Sequence, residues 1–174
     1  MSNPFYLAQD GHIAFMGVVP GHNINGAAHA FPVVNLENWH HVDFVIFLGT
    51  SPLAQGVITV ESCSNWVDLA GSPTTATPIK FSYHKRLTSQ ITAGNDVDSA
   101  AVAVTVAATG LVPMAGTDDI VYIIPIDSSQ LISGHVGVRI AIADPGGACT
   151  TTIFAICSGA RYAANAAGSA NPAR

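Results

Sequence analysis

Seven histidines, eleven carboxylates and three cysteines are the groups in this 174-residue chain that could do chemistry. A metal site needs ligands that converge. His40 and His41 are adjacent, so on a strand their side chains leave from opposite faces and do not share one ion. His12, His22 and His29 lie among glycines and prolines at no ligand-like spacing, and neither H-x-x-x-H nor H-E-x-x-H occurs. Ser158 sits in Cys157-Ser158-Gly159, which is not the G-x-S-x-G elbow that lifts a nucleophilic serine. The paired carboxylates, Asp96 with Asp98 and Asp118 with Asp119, fall in turn segments, where Asp is favoured because it bonds nearby backbone N–H groups. Gly146-Gly147 has no Walker lysine and no following helix, so it reads as a hairpin turn and not a phosphate cradle. Cys63, Cys149 and Cys157 have no C-x-x-C spacing and read as small apolar fillers, with one disulfide among them left open. The expectation is a protein that is not an enzyme and that holds neither cofactor nor metal.

The charges narrow the partners. Six Lys and Arg against eleven Asp and Glu leave a net charge of −5, and only Lys85 and Arg86 are adjacent cations. Nucleic-acid binding needs clustered cations to displace phosphate counterions, and a basic membrane patch needs the same, so neither partner is expected. No stretch reaches the roughly 20 apolar residues of a spanning helix. Met1-Ser2-Asn3-Pro4 carries no basic run, and Phe5–Leu7 is too short for the apolar core of a secretory leader. Charged residues make up 10% of the chain, against about 25% in an ordinary soluble domain, and hydrophobic ones 49%. Either Ser, Thr, Asn and Ala coat the surface or partner proteins bury part of it, and the second is favoured. Trp39, beside His40 and His41, and Trp66 are candidate interface anchors; each could equally plug an end of the core.

The elements that must position these residues are strands. Val42–Leu48, Val57–Glu61, Pro78–His84, Val102–Val106, Ile120–Ile126, Val136–Ile142 and Thr151–Cys157 each pair β-branched or aromatic content with turn residues at their ends. Ile79, Phe81 and Tyr83 share one face of their run. Pro125 cannot donate to a ladder, so its strand should be at an edge or near its end there. Asp127–Leu131 is the one credible helical turn, with Leu131 folding back on the core. Asp144-Pro145-Gly146-Gly147 is a turn between the last two strands. About seven or eight short strands with almost no helix predict an all-β chain, an antiparallel β-sandwich of jelly-roll type. Residues 1–35, dense in Gly and Pro, read as an extended N-terminal arm in which only His12–Met16 could be a short strand, and which either lies over its own domain or reaches a neighbouring subunit. Residues 36–162 form the sandwich domain, and 163–174, reduced to Ala, Asn, Gly and Ser, a fraying tail.

Two segments resemble small structural proteins of tailed bacteriophages. One is Val33-Val34-Asn35-Leu36-Glu37-Asn38-Trp39-His40-His41-Val42-Asp43-Phe44-Val45-Ile46. The other runs from Ile140-Ala141-Ile142-Ala143-Asp144-Pro145-Gly146-Gly147 to Ser158-Gly159-Ala160-Arg161-Tyr162-Ala163. Between them the likeness is one of strand order alone, over residues 33–163. The group includes capsid decoration, or cement, proteins. The resemblance implies a β-rich domain on the outer capsid surface that bridges capsomers, with the major capsid protein as partner and a homotrimer more expected than a dimer. It implies assembly on the virion after synthesis in the host cytoplasm, and it brings no catalytic residues. With it, the candidate interface is Trp39, His40, His41, Trp66, Arg161 and Tyr162. Head-fibre, tail or baseplate proteins, and a carbohydrate-binding sandwich, are the alternatives.

Overall fold

In a computed structural model, which describes residues 11–15, 22–24, 26–49, 56–66, 73–87, 100–113, 120–147 and 149–160, alternation builds the inner layers. In β5 (Trp39–Leu48), Val42, Phe44, Ile46 and Leu48 turn inward and are buried. In β10 (Ile120–Asp127), Ile120, Tyr122, Ile124 and Ile126 do the same. β12 (Thr150–Ala160) sends in Thr151, Ile153, Ala155 and Cys157. The facing layer comes from β6 (Ile58–Cys63) and β11 (Gly137–Ile142), whose Ile58, Val60, Val138, Ile140 and Ile142 meet the first set in one continuous core. Each Val, Leu, Ile or Phe among them contributes about 1.5–3 kcal/mol by leaving water. Thr151, polar among them, donates its hydroxyl to the Phe47 carbonyl at 3.1 Å.

Shorter strands complete two antiparallel sheets: β1 (Gly11–Phe15), β2 (His22–Asn23), β3 (His29–Ala30), β4 (Val34–Asn35), β7 (Ala76–Ile79), β8 (Phe81–Leu87) and β9 (Val102–Val104). The larger sheet has seven strands in the order β1-β12-β5-β10-β8-β9, with β2 also on β12; the smaller has five in the order β3-β11-β6-β7, with β4 also on β11. With β3 and β4 taken as one run, β1, β12, β5 and β10 in one sheet and β3/β4, β11, β6 and β7 in the other follow the strand order of a jelly roll; β8 and β9 extend the first sheet. The expected all-β antiparallel sandwich is therefore the fold. The single helical element among the described residues is a 3₁₀ turn at Ser128–Gln130, closed by the Gln130 side-chain oxygen accepting from the Asp127 N–H at 2.8 Å. Leu131 packs on the core behind it, as its position predicts.

Four expectations change. Residue 35 is not a domain boundary. β1 and β2 pair with β12, β3 and β4 pair with β11, and Ile24, Phe31, Val33 and Val34 are buried. Gly and Pro shorten these strands but do not exclude them, because each pairs over only a few residues at a sheet edge. Trp39, His40 and His41 lie within β5 and do not precede it. The run Pro78–His84 is broken at Lys80: Ile79 ends a strand of the smaller sheet and Phe81 begins one of the larger, both apolar side chains staying buried. The Asp144–Gly147 turn joins β11 to β12, which lie in different sheets, so it is a crossover and not a hairpin. Asp144 accepts from the Gly146 N–H at 2.9 Å, and Gly146 takes the positive φ of 68° that this tight turn requires. Pro125 behaves as predicted: β8 pairs with β10 only from Ile120 to Ile123, so the missing N–H falls where the ladder has ended. The tail 163–174, and the carboxylate pairs Asp96/Asp98 and Asp118/Asp119, lie outside the described residues.

Candidate functional site: the outward face of the larger sheet and its histidine end

The side chains that β5, β10 and β12 do not send inward form the opposite surface of the larger sheet. Antiparallel sheets with one wet face carry polar residues there. This one carries Val45 and Phe47 from β5, Val121, Ile123 and Pro125 from β10, and Phe154 and Ile156 from β12. Register makes them neighbours: Val45 lies between Phe154 and Ile123, and Phe47 opposite Val121. Phe47 and Phe154 stack at 5.6 Å between ring centroids, and Phe47 is 42% exposed. A row of apolar groups across three central strands is a surface built to be covered.

At the end of this face where β5 begins, the residues become polar. His41 stands opposite Asp127 on β10 and Ser158 on β12. Its Nδ1 lies 2.9 Å from Asp127 Oδ1 and its Nε2 3.1 Å from Asp43 Oδ1. A neutral imidazole has one N–H to donate, whereas the imidazolium donates to both carboxylates. Partial burial lowers the pKa of His41, but the two hydrogen bonds and the two nearby negative charges outweigh it, and the group is held above its ordinary 6.5. Ser158, His41 and Asp127 lie on the same face, which invites a Ser-His-Asp reading. That chemistry needs a ring nitrogen facing the serine. Here Asp43 holds it, so both ring nitrogens face carboxylates and neither faces the serine.

Trp39 opposes Ala160 across the β5–β12 pair, and an added Cβ at Gly159 would meet the His40 Cβ at 3.2 Å. Trp39 is half-buried and packed on the core, His40 is exposed, and Trp66 is half-buried beyond the end of β6. Strand directions bring all three, with His41, to one end of the sandwich. Arg161 and Tyr162 lie outside the described residues. The same end holds a feature that sequence reasoning missed. Ser62, fully buried, contacts His135 Nδ1 at 2.9 Å and accepts from the Ile132 N–H at 3.1 Å, tying the segment before β11 to β6. Spacing hides this pair, since the partners come from different strands. His41-x-Asp43 is visible as a same-face pair; Asp127 is not.

The remaining chemistry-bearing groups are quiet. Burial pushes the Cys63 thiol up to about 11 and Cys157 up to about 12, so neither is a ready nucleophile, and Cys149 is buried as well. Among the described residues no group of three or more His, Cys, Asp or Glu is arranged to hold a metal ion, and no helix is long and apolar enough to cross a membrane. An open depression of about 270 Å³ beside β9 is lined by aliphatic and Thr residues and by Tyr83, whose ring meets Tyr122 edge-on at 5.8 Å.

No family model matches the chain, and no curated protein does. Among solved structures, the crystal structure of the SPBc2 prophage-derived protein YomS matches with a TM-score of 0.40 at 9% sequence identity, over 86% of this chain and 94% of that one. A likeness that slight carries no argument about function.

Proposed function

We propose that the protein is a structural component of a tailed-phage virion, a decoration protein that binds the outer capsid surface and stabilises the shell by bridging capsomers. The observation that carries this reading is the outward face of the larger sheet, apolar over β5, β10 and β12 where such sheets are ordinarily polar. A chain with this face works by being covered by other protein. Charged residues at 10% of the sequence fit the same economy of surface. The two segments that resemble phage structural proteins support it further. They supply β4, most of β5, the end of β11 and β12, and they meet as the β5–β12 pair of the larger sheet.

In this reading the major capsid protein is the partner, the working unit is a homotrimer, and no reaction is catalysed. Several weak contacts made together give a tight attachment, because linked binding raises avidity by roughly 10²–10⁴. With six cations in the chain, apolar and backbone contacts dominate and attachment resists moderate salt. The test is purification of virions, measurement of copy number against the major capsid protein, and heating of shells with and without the protein. Shells lacking it should release DNA at a lower temperature, and added protein should restore them. Unchanged shell stability, or the protein on tails only, would replace this reading with a tail or baseplate role.

A further inference from the structure

We infer that copies of this chain join head to tail, with Phe5-Tyr6-Leu7 of one copy seated in the apolar cleft beside β9 of the next. This contact supplies the homotrimer of the proposed virion role and rests on that reading, but its test needs no virion.

The cleft lies at the open flank of the sandwich. Val102 and Val104 of β9 continue the larger sheet opposite Tyr83 and Phe81 of β8. The chain then crosses to the smaller sheet, where the Leu111 N–H donates to the Ile58 carbonyl at 2.7 Å and accepts from the Ile58 N–H at 2.8 Å. Between these two anchorages is the depression of about 270 Å³, and no charged side chain lines it. Three of the five large apolar residues exposed among the described ones border it: Val102 at 41%, Val106 at 58% and Val112 at 65%. Aliphatic surface gathered in this way favours being covered. Its volume is below the roughly 300–1,000 Å³ of small-molecule sites, so it suits anchoring side chains better than a ligand. β9 is the last strand of its sheet among the described residues, and a neighbour can approach from that side.

The ten residues before β1 supply the occupant. They lie outside the described residues, but the point where they join the fold is fixed. Gly11 pairs with Ser158, and Ser158 with His41. Continuing the β8–β10 register from His84 sets Phe81, and so Val104, about one residue from the same level. The segment thus joins the sheet at the end where β9 finishes, but at the opposite edge, five strand spacings or about 24 Å away. Phe5 stands six residues before Gly11, a length that spans at most about 21 Å, and Leu7 is nearer still. Phe5-Tyr6-Leu7 therefore fall short of their own cleft, and the cleft within their reach belongs to the next copy. The chemistry agrees: from Met1 to Gln9 the segment carries no charged side chain, and its large apolar residues match an uncharged cleft. A contact between opposite edges of the same sheet is head to tail, the kind that closes into a ring of three.

Sedimentation of the purified full chain over a range of concentrations should show a trimer that dissociates on dilution. Phe5→Ser with Leu7→Ser should weaken association at least tenfold, and so should Val106→Glu, with the circular dichroism unchanged in both. Mixing the two variants is the decisive arm. The Val106→Glu copy keeps its segment and the Phe5→Ser/Leu7→Ser copy keeps its cleft, so together they should form a one-to-one complex that neither forms alone. A wild-type chain that stays monomeric at every concentration overturns the inference, as does an oligomer that either variant leaves intact. Association lost in both variants and not regained on mixing also overturns it, by placing the segment in its own copy. The expected trimer and mixing result from a chain absent from virions would support the contact and end only the decoration reading.

Discussion

The two sheets of the sandwich bury similar inner faces and present opposite outer ones. On the smaller sheet, β6 and β11 turn out Thr59, Glu61, Arg139 and Ala141. Arg139 and Glu61 are directly opposed across the strands and joined at 2.7 Å, and Thr59 donates to the Ala141 carbonyl at 3.3 Å. That surface satisfies itself. On the larger sheet the corresponding positions of β5, β10 and β12 are mostly Val, Phe, Ile and Pro, with Thr152 opposite Phe47, until the His41 end is reached. Fold stability asks only for the inner faces, so the outer apolar rows of the larger sheet answer to a different requirement. The comparison teaches that burial inside one chain and readiness for burial between chains are written on alternate residues of the same strands.

The sharpest way to break that division is to cross it within β5. Phe44 is fully buried and Phe47 is 42% exposed. Phe44→Ala should cost about 3–5 kcal/mol of unfolding free energy, because it removes apolar burial and leaves a cavity. Phe47→Ala should cost the monomer far less. Equal losses in urea melts would show that the outer row is part of the fold after all. A smaller effect comes from the other sheet. Glu61→Ala strands Arg139, whose side chain is 15% exposed, and should cost roughly 1.5–3 kcal/mol. Replacing both partners with Val should return most of that, since an ion pair taken largely from water gains little over well-packed apolar groups. The same double change gives the smaller sheet an apolar outer row like that of the larger one. Self-association of that variant, read by sedimentation, would show that outward chemistry decides contact between chains. Smaller again, Val45→Thr with Phe154→Thr gives the larger sheet a polar outer row. β-Branched Thr fits a pleated surface, so the stability of the isolated chain should stay within about 1 kcal/mol.

How much of this could be read in advance obeys the same division. β11 was legible as a half-buried strand because Val138, Ile140 and Ile142 alternate with Arg139 and Ala141. β5 and β10 were legible as strands, from Val42–Leu48 and Ile120–Ile126, but not as two-sided ones. An unbroken apolar run does not say whether its second face meets the core or another chain. Of the lead-in strands, β1 was legible at His12–Met16, whereas β2, β3 and β4 were missed because each is short and draws its stability from partners far away in sequence, as Ala30 does on Ala141. The break at Lys80 was invisible for a related reason: Ile79 and Phe81 keep the alternation of one strand while belonging to two sheets. For the candidate site, His41 was named with no chemistry attached. Its meaning depends on Asp127, opposite it in β10 and 86 residues along the chain. Trp39 did what the core-plug alternative allows, packing on the core from the end of the sandwich.

The smallest expected effect sits at the boundary between the two kinds of surface. His41 is held above its ordinary 6.5 because Asp43 and Asp127 favour its protonated form, even though partial burial opposes it. In the unfolded chain those partners are gone and the ordinary value returns. A proton bound more tightly in the folded state stabilises that state. The contribution is therefore complete below about 6.5 and fades as pH rises through the higher folded-state value. The comparison to make is His41 against His41→Gln, both measured at the same low protein concentration. The chain that keeps His41 should melt at the higher temperature near pH 6 (roughly the lower edge of the window) and the gap should close by about pH 9. One of Asp43 and Asp127 then faces a ring nitrogen that carries no proton, and like charges at one end of the face resist its burial against any partner. A gap that stays constant across that range, or widens as pH rises, would mean that Asp43 and Asp127 do not favour the protonated form of His41.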